Sequence, residues 1–389
     1  MIVLDKNKLE NEVLIEEAAS LKKAGFIAKE QFDFIKKELH ILKRNKNILV
    51  RLGFFLLGSF LYSSLCGVVA LLGLSGIDNM WKIFPYIFAI IGVVGSEILA
   101  KQDYHNHGLD DAFILGVQLN VGFAFGVLSD GVSILSILIA VTITSFIMYL
   151  RYVHLLSALV FYLVLTALLG YAIFEYLEAG QAILPFFMML YSIAVYFFSR
   201  KLLKIIIESF YHDGLLLIKS LSLILMYCAG NYMVVRELSA ILSDGYFDVS
   251  PEIPFAIFFW IFTFGIPVLY LFFGLKNKDR IMLWISFLAI AFSFYTFRFY
   301  YSVLPIEVAL TLGGLVLFAI AYFSIQKLKN KESGITFKPD RINNSDSLLN
   351  AEALIVASAF GMKPEVKGPE SPMEFGGGGF SGGGSEGSF

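Results

Sequence analysis

Charge is what this chain has least of. Only 16% of its 389 residues are Asp, Glu, Lys or Arg, where soluble domains carry about 25%, so the chain cannot cover a water-facing surface of its size. A formal net charge of −2 also excludes nucleic-acid binding driven by net positive charge. Cysteine is almost missing. Cys66 and Cys228 are the only two, too few for a secreted disulfide scaffold, and both fall in apolar runs as small buried residues. What is abundant is apolar: 57% of the residues, with a mean hydropathy of +0.74. That excludes an intrinsically disordered chain and defines an integral membrane protein.

The scarce charge is unevenly placed. Residues 1–51 hold 11 Lys/Arg and 8 Asp/Glu, and residues 326–389 hold 7 and 8, leaving 12 and 16 for the 274 residues between. Apolar runs of roughly 17 to 25 residues, each enough to cross the hydrocarbon core as a helix, occur at 52–74, 81–100, 112–129, 132–150, 155–174, 182–198, 215–235, 254–274, 281–300 and 306–325. The third and fourth are kept apart at Asp130 and Gly131, because one fused helix would be about 58 Å long, nearly twice the core. The expected fold is therefore all-α, polytopic, with about ten transmembrane helices. The domains are a cytoplasmic amphipathic module at 1–47, a transmembrane body at 48–326 and a cytoplasmic tail at 327–389 that is Gly-rich from 375.

Sidedness follows from the basic residues. With the amino terminus inside, seventeen Lys and Arg residues near the spans are cytoplasmic, among them Lys43, Arg44, Arg51, Lys101, Arg151, Lys201, Lys204, Lys276 and Arg280. Only Lys82, Arg236 and Arg298 fall outside, where Glu175, Glu178, Glu237 and Glu252 make the face acidic. Both termini are thus expected in the cytoplasm. No cleavable signal peptide is expected, since the first apolar run follows some 50 charge-rich residues.

In the module, Val13, Leu14, Ala18 and Leu21 recur at helical spacing, Gly25 closes that helix, and Phe32, Ile35, Leu39 and Leu42 line a second. Such a short segment makes too small a core to stand alone, so it is expected to pack on the membrane body, a second copy or a protein partner. The run from Glu16 to Phe32 resembles a short helical hairpin module (L…L…G-x-I-x-x-E-x-F) found at the ends of many bacterial proteins. It is also similar to the opening of a bacterial family of polytopic inner-membrane proteins that carry a domain of unknown function. Glu97-Ile-Leu-Ala-Lys101 and Asp111-Ala-Phe-Ile-Leu-Gly-Val-Gln118 extend that second resemblance; the histidine-containing loop departs from it. The resemblance implies a shared architecture and a bacterial inner membrane. The carboxyl-terminal Phe375-Gly-Gly-Gly-Gly-Phe380-Ser-Gly-Gly-Gly-Ser-Glu-Gly-Ser-Phe389 reads as a flexible tail, similar to the Gly-rich, aromatic-ended tails of several bacterial membrane-anchored families. A short helix is expected at 345–360. Residues 200–213 read either as an amphipathic helix in the cytoplasmic interface or as an extension of the neighbouring spans.

Candidate chemistry is sparse. The loop Lys101 to Asp111 gathers Asp103, His105, His107 and Asp110, and an H-x-H pair flanked by carboxylates has the donor types of a Zn²⁺, Ni²⁺ or Mn²⁺ site; a plain solvated loop has the same composition. Near mid-membrane the polar residues are uncharged: Gln118, Asn120, Thr142, Thr144 and Thr263, with Ser145, Ser192 and Ser293. They either hydrogen-bond between helices or line a path for a neutral substrate. Glu97 and Lys101 form an i, i+4 pair, and Lys219 is placed to snorkel. Outside the low-complexity Gly-rich tail the chain carries no G-x-S-x-G and no dinucleotide motif, it has no Walker A, and no Ser/His/Asp set stands out. Neither enzymatic activity nor a cofactor is expected.

Two functions fit. One is a non-enzymatic membrane component that binds a protein partner, or a second copy, through residues 1–47, with the lipid bilayer as its other partner and no nucleic acid. The other is a transporter of a neutral or lipid-like small molecule: ten spans with short loops are similar in topology to the drug/metabolite transporter superfamily, whose inverted halves would place the second at about 182–325.

Overall fold

The computed structural model describes residues 2–23, 26–45, 47–73, 82–128, 133–206, 208–243, 250–277 and 279–301, with isolated positions between 308 and 326. The chain is an all-α polytopic membrane protein. An amino-terminal pair, α1 (Lys6–Lys23) and α2 (Lys29–Glu38), precedes α3 (Ile48–Gly73), α4 (Phe84–Lys101), α5 (Leu109–Leu128), α6 (Ile134–Tyr152) and α7 (Leu155–Tyr176). Then come α8 (Gly180–Ile205), a 3₁₀ turn (Ser209–Tyr211), α9 (His212–Gly230), α10 (Tyr232–Leu242), α11 (Ala256–Asn277) and α12 (Arg280–Tyr300). Among the described residues, eight helices are long and apolar enough to cross a membrane: α3, α4, α6, α7, α8, α9 with its preceding turn, α11 and α12. The 20-residue α5 packs among α3, α4, α6 and α7. Leu56, Phe60, Leu71, Leu72, Ile257 and Ile261 project from the bundle, which water would penalise and lipid does not.

Packing divides between α3–α6 and α8–α12, with α7 touching both groups. The first group closes where small residues let helices approach. A Cβ on Gly116 would meet the Tyr62 ring at 2.5 Å, and one on Gly92 would meet Val117 at 2.6 Å, so α5 lies directly against α3 and α4. Leu4 and Leu9 of the amino-terminal segment enter the same core as Ala100, Ile114, Val117, Met148 and Tyr152. The module therefore packs on the membrane body.

One expectation needs correction. The span at 215–235 is broken: α9 stops at Gly230, Asn231 is extended (φ −74, ψ 127), and α10 starts afresh. Asn231 is fully buried. Its Oδ1 accepts from Met233 N (3.0 Å) and Val234 N (3.2 Å), capping α10, while its Nδ2 donates to Tyr227 OH and Thr296 Oγ1. A side chain that satisfies a new helix's orphan N–H groups competes with continuing the old helix. Of the two readings of residues 200–213 the extension holds: α8 runs on to Ile205 before the 3₁₀ turn, and α9 starts at His212. Of the span expected at 306–325 only isolated positions are described, and these are helical. Gly25, the Asp130–Gly131 separator, the helix at 345–360 and the Gly-rich tail lie outside the described residues.

Replacing Asn231 by Leu should lower the thermal unfolding midpoint in detergent by several degrees, for a loss on the order of 2 kcal/mol from the cap and the stranded hydroxyls. Asn231→Asp, which keeps the capping oxygen, should fall between Leu and wild type. An unchanged midpoint for Asn231→Leu would show that the break is set elsewhere.

Candidate functional site

The α4–α5 loop carries three residues with left-handed backbone: Asp103 (φ 67), Asn106 (φ 52) and Gly108 (φ 110). Asn and Asp tolerate this region and Gly prefers it, and a Cβ on Gly108 would crowd Phe54 at 2.9 Å. The loop thereby folds tightly and turns its polar groups onto the strand-like segment after α2. Lys43 N donates to Asp103 O (2.7 Å), His105 N donates to Lys43 O (3.2 Å), and Asn45 Nδ2 donates to His107 O (2.8 Å). Side chains add Lys8 with Asp103 (2.5 Å) and Arg44 with Glu12 (2.5 Å) and Glu16 (3.3 Å). The buried His105 ring lies 3.8 Å from Glu12. Burial alone would raise the Glu12 pKa; the His105 imidazole and the Arg44 guanidinium outweigh it and hold it at about 2.

From this clamp a continuous polar chain enters the bundle. Arg51 grips Asp111 through two bonds (Nε to Oδ2, 2.6 Å; Nη2 to Oδ1, 2.9 Å) and also donates to Asn106 Oδ1 (3.0 Å). Asp111 Oδ1 lies 3.0 Å from His154 Nε2, and His154 Nδ1 lies 2.8 Å from Ser157 Oγ. Gln118 Nε2 then donates to Ser157 Oγ at 2.5 Å. His154 owes its position to a strained turn, since Val153, between α6 and α7, has φ +52, which is costly for a β-branched residue. His154 then caps α7.

The order Asp111, His154, Ser157 is that of a hydrolase relay, and it escaped the sequence reading. His154 and Ser157 are a three-residue capping pair visible in principle, but nothing local signals Asp111, 43 positions upstream. Exposures of 2%, 1% and 0% seal all three groups, and the Gln118 amide occupies the serine oxygen. The arrangement bolts α3, α5 and α7 together.

The other expected residues go separate ways. Asp103 pairs with Lys8; Asp110 Oδ1, in the first turn of α5, accepts from the loop amides His107 N (2.9 Å) and Gly108 N (3.1 Å). The His107 ring packs between Phe54 and Tyr104. Among the described residues no three His, Cys, Asp or Glu side chains are grouped to hold a metal ion. Asn120 Nδ2 donates to Tyr62 OH (2.9 Å) and Gly116 O, Thr142 donates to Leu138 O, and Thr144 is half-buried. Thr263 accepts from Tyr232 N (2.9 Å) beside the α9–α10 break. Glu97 bonds Arg151 (2.5 Å) and Tyr152 (2.7 Å) across the bundle, and Lys219 meets Asp279 at 2.7 Å. Four buried atoms among the described residues have no hydrogen-bond partner: His107 Nδ1, Gln118 Oε1 and the hydroxyls of Tyr162 and Tyr191.

The open space lies elsewhere. A cavity of about 600 Å³ sits among α7, α8, α9, α10 and α11. Small residues make the room: Ala167, Gly170, Ala179, Ala182 and Ala229 all line it. Leu184, Met188, Leu225, Val235, Leu238 and Phe259 give an apolar wall, with Glu178, Gln181 and Ser239 near the α7–α8 turn. Pro185, inside α8, also faces it and cannot bond back to the Gln181 carbonyl. Gln181 Nε2 ties α8 to α10 through Ser239 O (2.8 Å) and Ser243 Oγ (2.7 Å). None of Gln118, Asn120, Thr142, Thr144 or Thr263 lines this cavity. In comparisons with known proteins, no family model, no curated protein and no solved structure matches the chain.

The depressed Glu12 pKa has a sign. The stabilisation it gives is complete above the ordinary value near 4.5 and is lost as pH falls towards about 2. Hydrogen-exchange protection across residues 6–23, taken relative to the intrinsic exchange rate at each pH, should therefore fall between pH 5 and pH 2, by an amount on the order of 3 kcal/mol. Glu12→Gln should already exchange faster at pH 6 and respond less to acid. Protection of wild type that is indifferent to pH over this range would refute the clamp.

Proposed function

We propose that the protein is a non-enzymatic, membrane-embedded binding protein for an apolar small molecule, which it carries within or across a bacterial inner membrane. The cavity among α7–α11 carries this reading. Its volume is that of a site for a drug-sized ligand, and an apolar lining with a few polar groups at one end is the usual make-up of such sites. The basic residues support a cytoplasmic amino terminus and put the α7–α8 turn, and with it the polar end of the cavity, on the outer face. Most polar groups deep in the first helix group are spent on one another or on their own helix backbone, which supports a neutral cargo handled by the second group.

Gly170→Phe and Ala182→Trp should each weaken binding of an environment-sensitive alkyl dye about tenfold or more without lowering the unfolding midpoint. Dye binding that survives both substitutions would sink the proposal.

A second reading has its own observation. While α1 is clamped to the body, α2 buries none of its residues, and Leu14, Phe26 and Phe34 stay exposed, Phe34 by 65%. We infer that this face docks a protein partner or a second copy. Phe26→Ser/Phe34→Ser should abolish a specific co-purifying partner, or dissociate a dimer, while membrane insertion is retained; unchanged assembly would count against it.

A further inference from the structure

We infer that the cavity takes a single-chain amphiphile with an uncharged or cationic, hydrogen-bond-donating headgroup, bound with its head at Gln181 and its chain running inward toward Met188 and Leu225. This rests on the cavity being a ligand site and adds the chemical class and direction of the ligand.

Three features carry it. The first is shape. The lining starts at the exposed Glu178, where α7 turns into α8, and follows α8 from Gln181 to Met188, a length of about 10 Å at 1.5 Å per residue. A space this long, lined by residues of five helices, suits an extended chain better than a compact ring. The second is polarity, which is graded along that axis. Beyond the mouth the wall offers Leu184, Met188 and Leu225, and Thr166 there spends its hydroxyl on Tyr162 O; Gln181 bonds Ser239 at the end that Glu178 also lines. An amphiphile matches this gradient in one direction only, since reversing it would bury the headgroup without partners.

The third is the chemistry of the mouth. The Gln181 amide nitrogen is already committed to Ser239 and Ser243, which leaves its carbonyl oxygen as the acceptor for a ligand. The Glu178 carboxylate, the one charged side chain among the described residues of the wall, is likewise an acceptor. A hydroxyl or ammonium headgroup can donate to both. A carboxylate or phosphate cannot, and it also meets like charge.

Cys228 lies on the cavity wall and reports occupancy. In a Cys66→Ser background reconstituted in nanodiscs, so that no detergent fills the site, modification of Cys228 by a small membrane-permeant thiol reagent is timed with added monododecyl glycerol, dodecylammonium or dodecanoate. The glycerol and ammonium compounds should protect at concentrations about tenfold lower than the carboxylate. Adding Glu178→Gln and Gln181→Leu should erase that preference while leaving protection by the chain. Equal protection by all three compounds in the Cys66→Ser protein would overturn the headgroup assignment and leave the cavity reading standing. Ready modification that none of the three slows would overturn both.

Discussion

Hydrocarbon offers no hydrogen bonds, so a polar side chain inside the bundle must find its partner on another helix or on its own backbone. That constraint organises the first helix group. Arg51, Asp111, His154, Ser157 and Gln118 form one chain of bonds that fixes α3, α5 and α7 in a single relative position. Removing one member of such a buried charge pair leaves the other uncompensated, at a cost of about 3 to 5 kcal/mol. The strained Val153 persists for the same reason: the turn it permits puts His154 where both ring nitrogens are used. The amino-terminal helices join this chain through Arg44, Glu12 and His105 and are part of the body's architecture.

The second helix group solves the same problem differently. Around the break at Asn231, Tyr227, Thr263, Ser293 and Thr296 satisfy one another and the freed backbone, so the chain can leave its transmembrane course and lay α10 beside α8 and α11. On its far side α10 is held by Arg236 and Glu237, which bond Ser250, Tyr232 and Tyr300. With α10 anchored at both its start and its flank, and small residues facing it from α7 and α8, the helices cannot close up. Interiors normally fill to crystal-like density; here the bonded frame keeps the space open.

Much of this was legible in the sequence. Apolar runs of the right length gave nine described helices close to their places, because exclusion of charge from lipid leaves a strong, local signal. The module's two helices followed from apolar spacing. What escaped was whatever depends on partners far along the chain. Asn231 sits in an apolar run and looks like one tolerated polar residue; only Thr263 and Thr296, brought from two other helices, make a break there stable. Asp103, His105, His107 and Asp110 share one loop and suggest one site, yet their backbone angles send them to different partners. The cavity had no signature at all, since glycine and alanine in a membrane helix mark close packing as readily as they mark a space.

The account assigns polar chemistry to holding the helices and an apolar cavity to function, and native mass spectrometry of protein extracted directly from its membrane tests that division most directly. The account predicts a fraction of molecules carrying one additional mass of lipid-like size, lost in the Ala182→Trp protein while other lipid adducts persist. An adduct pattern identical in both proteins, with no such single species, would contradict it.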